Sequence, residues 1–156
     1  GKMLQKTGSF VATAESCTGG NIAHLYTEIP GSSAYFRGGV VAYSNEVKMA
    51  VLGVQAETLE AHGAVSRETA LEMVLGVKKA LNTNYGIATT GIAGPDGGSA
   101  EKPVGTVWIA VSGKYETIVE RFVFHHNRER NIQRSSQTAL NMLRLLLISE
   151  MKSELK

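Results

Sequence analysis

Residues 10–29 read FVATAESCTGGNIAHLYTEI, and this stretch decides the fold class. Phe10 to Ala14 is a short apolar run with the length of a buried strand. Thr18-Gly19-Gly20 is a turn. From about Asn21 to Glu28, the spacing of Ile22, Leu25, Tyr26 and Ile29 places one apolar face on a helix. A buried strand that turns directly into an amphipathic helix is the unit from which layered α/β domains are built.

The flanking sequence extends that unit. Residues 2 to 6 read as the last turn of a helix closed by Gly8. After a Pro30-Gly31-Ser32-Ser33 loop, Phe36 to Ser44 reads as a second strand, with Gly38-Gly39 marking a bulge or a close backbone approach. Ser66 suits the N-cap of a helix whose Ala70, Met73, Val74, Val77 and Leu81 form a stripe. Tyr85 to Thr90 is a strand that enters a glycine-rich loop, Gly91 to Gly98. Val104 to Val111 and Glu116 to Phe124 are joined by the short Ser112-Gly113-Lys114 turn, which makes them antiparallel. A closing helix carries Ile132, Ser136, Ala139, Leu143, Leu146 and Leu147 on its inner face. Together these predict a single domain over 1–156: a three-layer α/β/α sandwich around a mixed, mostly parallel sheet of about five strands.

Composition narrows the function classes. The 156 residues are 43% apolar, with 17 Gly and only 3 Pro, as in a folded domain with many tight turns. The formal charge of +2, from 16 basic and 14 acidic residues, leaves no nucleic-acid footprint. The one cysteine, Cys17, excludes an intrachain disulfide and fits a reducing compartment. No apolar run approaches the roughly 20 residues of a membrane helix. The first residues lack the design of a secretory signal. A cytoplasmic homo-oligomer is expected, with no membrane or nucleic-acid partner.

Ligands on open α/β sheets bind beyond the carboxyl ends of the strands. Three segments meet that description. In Glu15 to Gly20, Ser16 is exposed at a strand-to-helix turn whose amides can hold an oxyanion or a phosphate; Ser16 or Thr18 could equally serve only as a helix cap. Cys17 competes as nucleophile, although free cysteines are commonly small buried hydrophobes. In Tyr43 to Lys48, a desolvated lysine can act as base for a serine and Tyr43 can relay the proton, unless both are ordinary strand-end residues. The Thr90 to Gly98 loop can bring backbone amides to a phosphate, with Pro95-Asp96-Gly97-Gly98 also readable as a plain surface turn. Between the last strand and helix lie His125, His126, Asn127, Arg128 and Arg130. Adjacent histidines do not converge on one ion, so no metal is expected, and either arginine can reach a phosphate.

Five segments in order, TAESCTGG (13–20), GGVVAYSNEVK (38–48), GAVS (63–66), TGIAGPDGG (90–98) and KPVGTVW (102–108), resemble the nicotinamide-nucleotide amidohydrolases. The same domain forms the C-terminal part of the competence/damage-inducible protein CinA. The resemblance implies hydrolysis of nicotinamide mononucleotide to nicotinate mononucleotide and ammonia, without a cofactor. It implies Ser16 as nucleophile with Lys48 and Tyr43 as proton-handling groups. Substrate contacts are then expected from Thr18, Gly19, Gly20, Ser33, Asn45, Thr90, Gly91 and Gly94, and from Arg128 or Arg130. Many relatives read Gly-Asp-Arg where this chain has His126-Asn127-Arg128, which leaves open which arginine holds the phosphate. The rival readings are a nucleotide sensor that cuts no bond and a partner-binding module of a larger competence or repair protein.

Overall fold

A computed structural model describes residues 1–154. In chain order the elements are α1 (Lys2–Lys6), β1 (Val11–Glu15), α2 (Asn21–Thr27), a 3-10 turn (Ser32–Ala34), β2 (Phe36–Val41), α3 (Asn45–Leu52), α4 (Ala56–His62), α5 (Arg67–Ala80), β3 (Tyr85–Gly91), β4 (Thr106–Ser112), β5 (Thr117–Val123) and α6 (Arg128–Glu154). The strands form one sheet in the order β2-β1-β3-β4-β5. β1 pairs in parallel with β2 and β3, whereas β4 pairs antiparallel with β3 and β5, so only β4 runs against the rest. Among the described residues no helix is long and apolar enough to cross a membrane.

Alternation along the strands divides the core in two. Val11, Ile87, Val107, Ile109 and Val111 face one side, where they pack with residues of α1, α2 and α6. Ala12, Ala14, Ala88 and Ala110 face the other, against Ala70, Met73, Val74 and Val77 of α5. These short side chains let α5 lie close to the sheet. α3 lies equally close to α5: a Cβ on Gly76 would run into the Leu52 carbonyl. Gly76→Ala is therefore expected to cost about 1–3 kcal/mol, since a rigid backbone cannot yield as a side chain would. Urea unfolding should show a lower midpoint with an unchanged slope.

The local readings differ from the structure in a few places. β2 stops at Val41 because the Ser44 hydroxyl accepts from Val47 N at 3.3 Å and caps α3, so the chain leaves the sheet before Ser44. The expected irregularity lies beside Gly38: β1 shifts register there and Arg37 is the extra residue. Gly39 lacks room for a Cβ beside Thr13 Oγ1. Ile29 falls beyond the end of α2 and is 55% exposed, leaving Ile22 and Tyr26 as that helix's buried residues. α4 has no counterpart among the sequence expectations. The Ser66 cap is present, with Thr69 N donating to its hydroxyl at 3.2 Å.

Candidate active site

The cleft opens at the carboxyl edge of β1, β2 and β3, with a volume of about 300 Å³. Ser16 follows β1 directly. Its amide donates to the Thr89 carbonyl at 2.9 Å, which ties the turn to β3. One turn into α3, Lys48 points inward and is 1% exposed. Its Nζ lies 3.1 Å from Ser16 Oγ and donates to the Ala42 carbonyl at 2.8 Å. Burial lowers the Lys48 pKa, since a desolvated ammonium is costly; Cys17 and Glu46 pull weakly the other way.

Cys17 also borders the cleft, but its thiol is buried and pushed up to about 12, chiefly by that burial. Such a group stays protonated and is a poor nucleophile. The Gly19 amide turns back to the Ser16 carbonyl at 3.0 Å and the Asn21 amide to the Thr18 carbonyl at 3.0 Å. Among the described residues neither the Cys17 nor the Thr18 amide donates to another residue; the Cys17 amide faces its own thiol, and of the two residues only Cys17 borders the cleft.

Glu15 is the residue that sequence reasoning missed. It is 1% exposed, and its carboxylate accepts from Thr18 Oγ1 at 2.7 Å, Ile22 N at 2.8 Å and Ala23 N at 2.9 Å. It thereby satisfies the open amides of α2 and fixes the turn that carries Ser16. An acid that ends a buried strand just before a helix was a signal of its position, though not of its partners. Thr18 completes this support through a 2.7 Å contact with Thr89 Oγ1.

The other walls match the expected residues in part. Asn45, Thr90, Gly91 and Gly94 line the cleft, joined by Ala64 and Val65 ahead of α5 and by Asp96 and Gly97. Thr90 Oγ1 donates to the Ala64 carbonyl at 2.6 Å, fastening two walls together. Arg128 opens α6 and crosses the mouth, donating to the Gly94 carbonyl at 2.7 Å and to Tyr43 Oη at 2.9 Å.

Other expected residues lie away from the floor of the cleft or outside it. Tyr43 lines the cleft with Ser16 and Lys48 but is 60% exposed; its hydroxyl accepts from Arg128 and makes no hydrogen bond to Ser16 or Lys48. Thr18, Gly19 and Gly20 shape the turn and do not line the cleft; the Thr18 hydroxyl is spent on Glu15 and Thr89. Ser33 sits in the 3-10 turn before β2, at the edge opposite the cleft, because the start and finish of one strand lie at opposite edges. Arg130 lies two residues beyond Arg128, roughly 200° around the helix, and borders a separate surface hollow with His126 and Arg134.

Comparison with known proteins agrees with this architecture. The family model described as the CinA C-terminal domain matches residues 1–147. A CinA-like protein of Trichodesmium erythraeum is 51% identical over 148 residues, covering 92% of this chain and 35% of that protein. The chain thus spans about a third of the length of such curated relatives. Among solved structures, the competence/damage inducible protein CihA of Agrobacterium tumefaciens superposes with a TM-score of 0.90 at 44% identity, covering 94% of this chain and 89% of that one. A CinA superfamily protein of Klebsiella pneumoniae gives 0.91 at 36% identity, covering 95% and 92%. On a match that runs from the first residue through most of α6, the chain belongs to the CinA C-terminal domain family.

Proposed function

We propose that this domain is an amidohydrolase that converts nicotinamide mononucleotide and water to nicotinate mononucleotide and ammonia. One observation carries the reading: a buried lysine amine within hydrogen-bond reach of a serine hydroxyl at the floor of a cleft. The choice of substrate comes from the resemblance of the five sequence segments.

A neutral Lys48 has two N–H bonds and one lone pair. With one N–H on the Ala42 carbonyl, the lone pair can face Ser16 Oγ and take its proton. The freed oxygen attacks the carboxamide carbon, and the carbonyl oxygen becomes an oxyanion beside the backbone of the turn that opens at Ser16. The Lys48 ammonium returns a proton to the amide nitrogen as the C–N bond breaks, and ammonia leaves. Water then attacks the acyl-serine and gives one proton to Lys48. The amine passes it to Ser16 Oγ as the ester opens to nicotinate. Arg128 at the mouth supplies the charge for the phosphate.

Steady-state ammonia release from nicotinamide mononucleotide tests this. The purified chain should release one ammonia per nicotinate mononucleotide formed. Binding without release would replace the amidase reading with that of a sensor. Arg128→Ala should raise KM by about 10- to 100-fold, the equivalent of one charge-assisted contact. Arg130→Ala should stay within about twofold, because its guanidinium faces away from the cleft.

A further inference from the structure

Among the described residues three ionisable amine, guanidinium or carboxylate groups line the cleft: Lys48, Arg128 and Asp96. Lys48 is occupied at the floor with Ser16 and the Ala42 carbonyl. Arg128 is tied to the Gly94 carbonyl and to Tyr43. Asp96 is different. Among the described residues its carboxylate accepts no hydrogen bond and joins no ion pair, although Arg128 anchors the same loop only two residues away. Among the described residues it is the only carboxylate lining the cleft.

A bare carboxylate beside a phosphate site repels its ligand unless the ligand brings donors to it. A ribose supplies two, since its vicinal 2′- and 3′-hydroxyls can both donate to one carboxylate. Depth sets the order of the parts. Ser16 and Lys48 are buried at the floor, whereas Asp96 and Arg128 are exposed at the rim. A carboxamide-bearing ring that reaches Ser16 leaves its ribose and phosphate at the rim, between an acid and a base.

We propose that Asp96 is the ribose-recognising group of the cleft, accepting the 2′- and 3′-hydroxyl hydrogens of a ribonucleotide whose 5′-phosphate lies on Arg128. The proposal deepens the amidase reading and rests on it for the direction in which the ligand enters. It makes the site selective for ribonucleotides over their deoxy counterparts. It also assigns work to the second half of a loop whose sequence reads as a plain turn.

The test pairs nicotinamide mononucleotide with its 2′-deoxy counterpart, in the wild-type chain, Asp96→Asn and Asp96→Ala. Ammonia release gives kcat/KM, and calorimetry on the same three chains carrying Ser16→Ala gives Kd. The wild type should favour the ribonucleotide by about 10- to 100-fold, the range of a hydrogen bond to a charged group. Both Asp96 variants should reduce that preference to within about threefold, with most of the loss on the ribonucleotide. Equal losses for both ligands would mean that Asp96 only shapes its loop, and would overturn the proposal. So would no change, tighter binding of both ligands once the charge is gone, or no binding of either. If binding follows the expected pattern and the wild type releases no ammonia, the amidase reading fails and the ribose subsite stands.

Discussion

Ser16→Ala is expected to lower kcat for amide hydrolysis by at least about three orders of magnitude, while Cys17→Ala retains most of the activity. Both residues border the cleft, so position alone does not separate them. Their protons do. Ser16 Oγ has a buried amine 3.1 Å away, with a pKa lowered by its surroundings. Cys17 is buried with its thiol pushed up to about 12, so it stays protonated at neutral pH. Removing the sulfur costs a little packing, about 1 kcal/mol, and no reacting atom. Circular dichroism should show both variants folded. The opposite ranking in folded proteins would replace the proposed serine mechanism with that of a cysteine amidase and remove Lys48 from the chemistry.

Lys48→Met is expected to abolish turnover and at the same time raise Tm. Burial lowers the lysine pKa in the folded state, whereas the unfolded chain keeps a value near 10.5. The sign follows directly. As pH falls below about 10.5 the unfolded chain takes up a proton that the folded chain resists, so stability drops until the folded pKa is passed. Below that value the penalty is constant. Methionine fills similar space without it, and each kcal/mol relieved raises Tm by about 2–4 °C in a chain of this size. Activity should rise with pH along a limb set by the Lys48 amine. Lys48→Arg should be nearly as inactive as Lys48→Met, because a guanidinium does not yield a neutral base. A chain that lost both Tm and activity with methionine would show that Lys48 holds the fold. Substantial turnover in Lys48→Arg would move the base elsewhere.

Local patterns carried most of the fold. The β1-turn-α2 unit, the β4–β5 hairpin, the Ser66 cap and the α6 stripe each depend on residues a few positions apart, and each is found where its pattern puts it. The site was legible as three loops at one sheet edge. What was not legible depends on direction. Tyr43 and Lys48 lie five residues apart in one segment. Only the start of α3 at Asn45 turns Lys48 inward and leaves Tyr43 at the rim. The resemblance implies Ser33 as a substrate contact, yet the run of β2 carries it to the far edge. Arg128 and Arg130 are equivalent as charges and opposed as helix positions. Glu15 gives no sign in sequence of the two amides it accepts from, seven and eight residues downstream, because that contact exists only after the turn has closed.

The unequal faces of the sheet set opposite limits on how this chain can drift. Toward α5, where Ala12, Ala14, Ala88 and Ala110 stand, the limit is an upper one: added methylenes meet a helix with nowhere to retreat, since its other side rests on the Leu52 backbone. Toward α6, where Ile87, Val107, Ile109 and Val111 stand, the limit is a lower one: each lost methyl opens a void that a 27-residue helix is too stiff to fill. Neighbouring positions on one strand therefore tolerate change in opposite directions, and Ala88, at the top of that divide, stands next to the Thr89 whose carbonyl holds Ser16 in place.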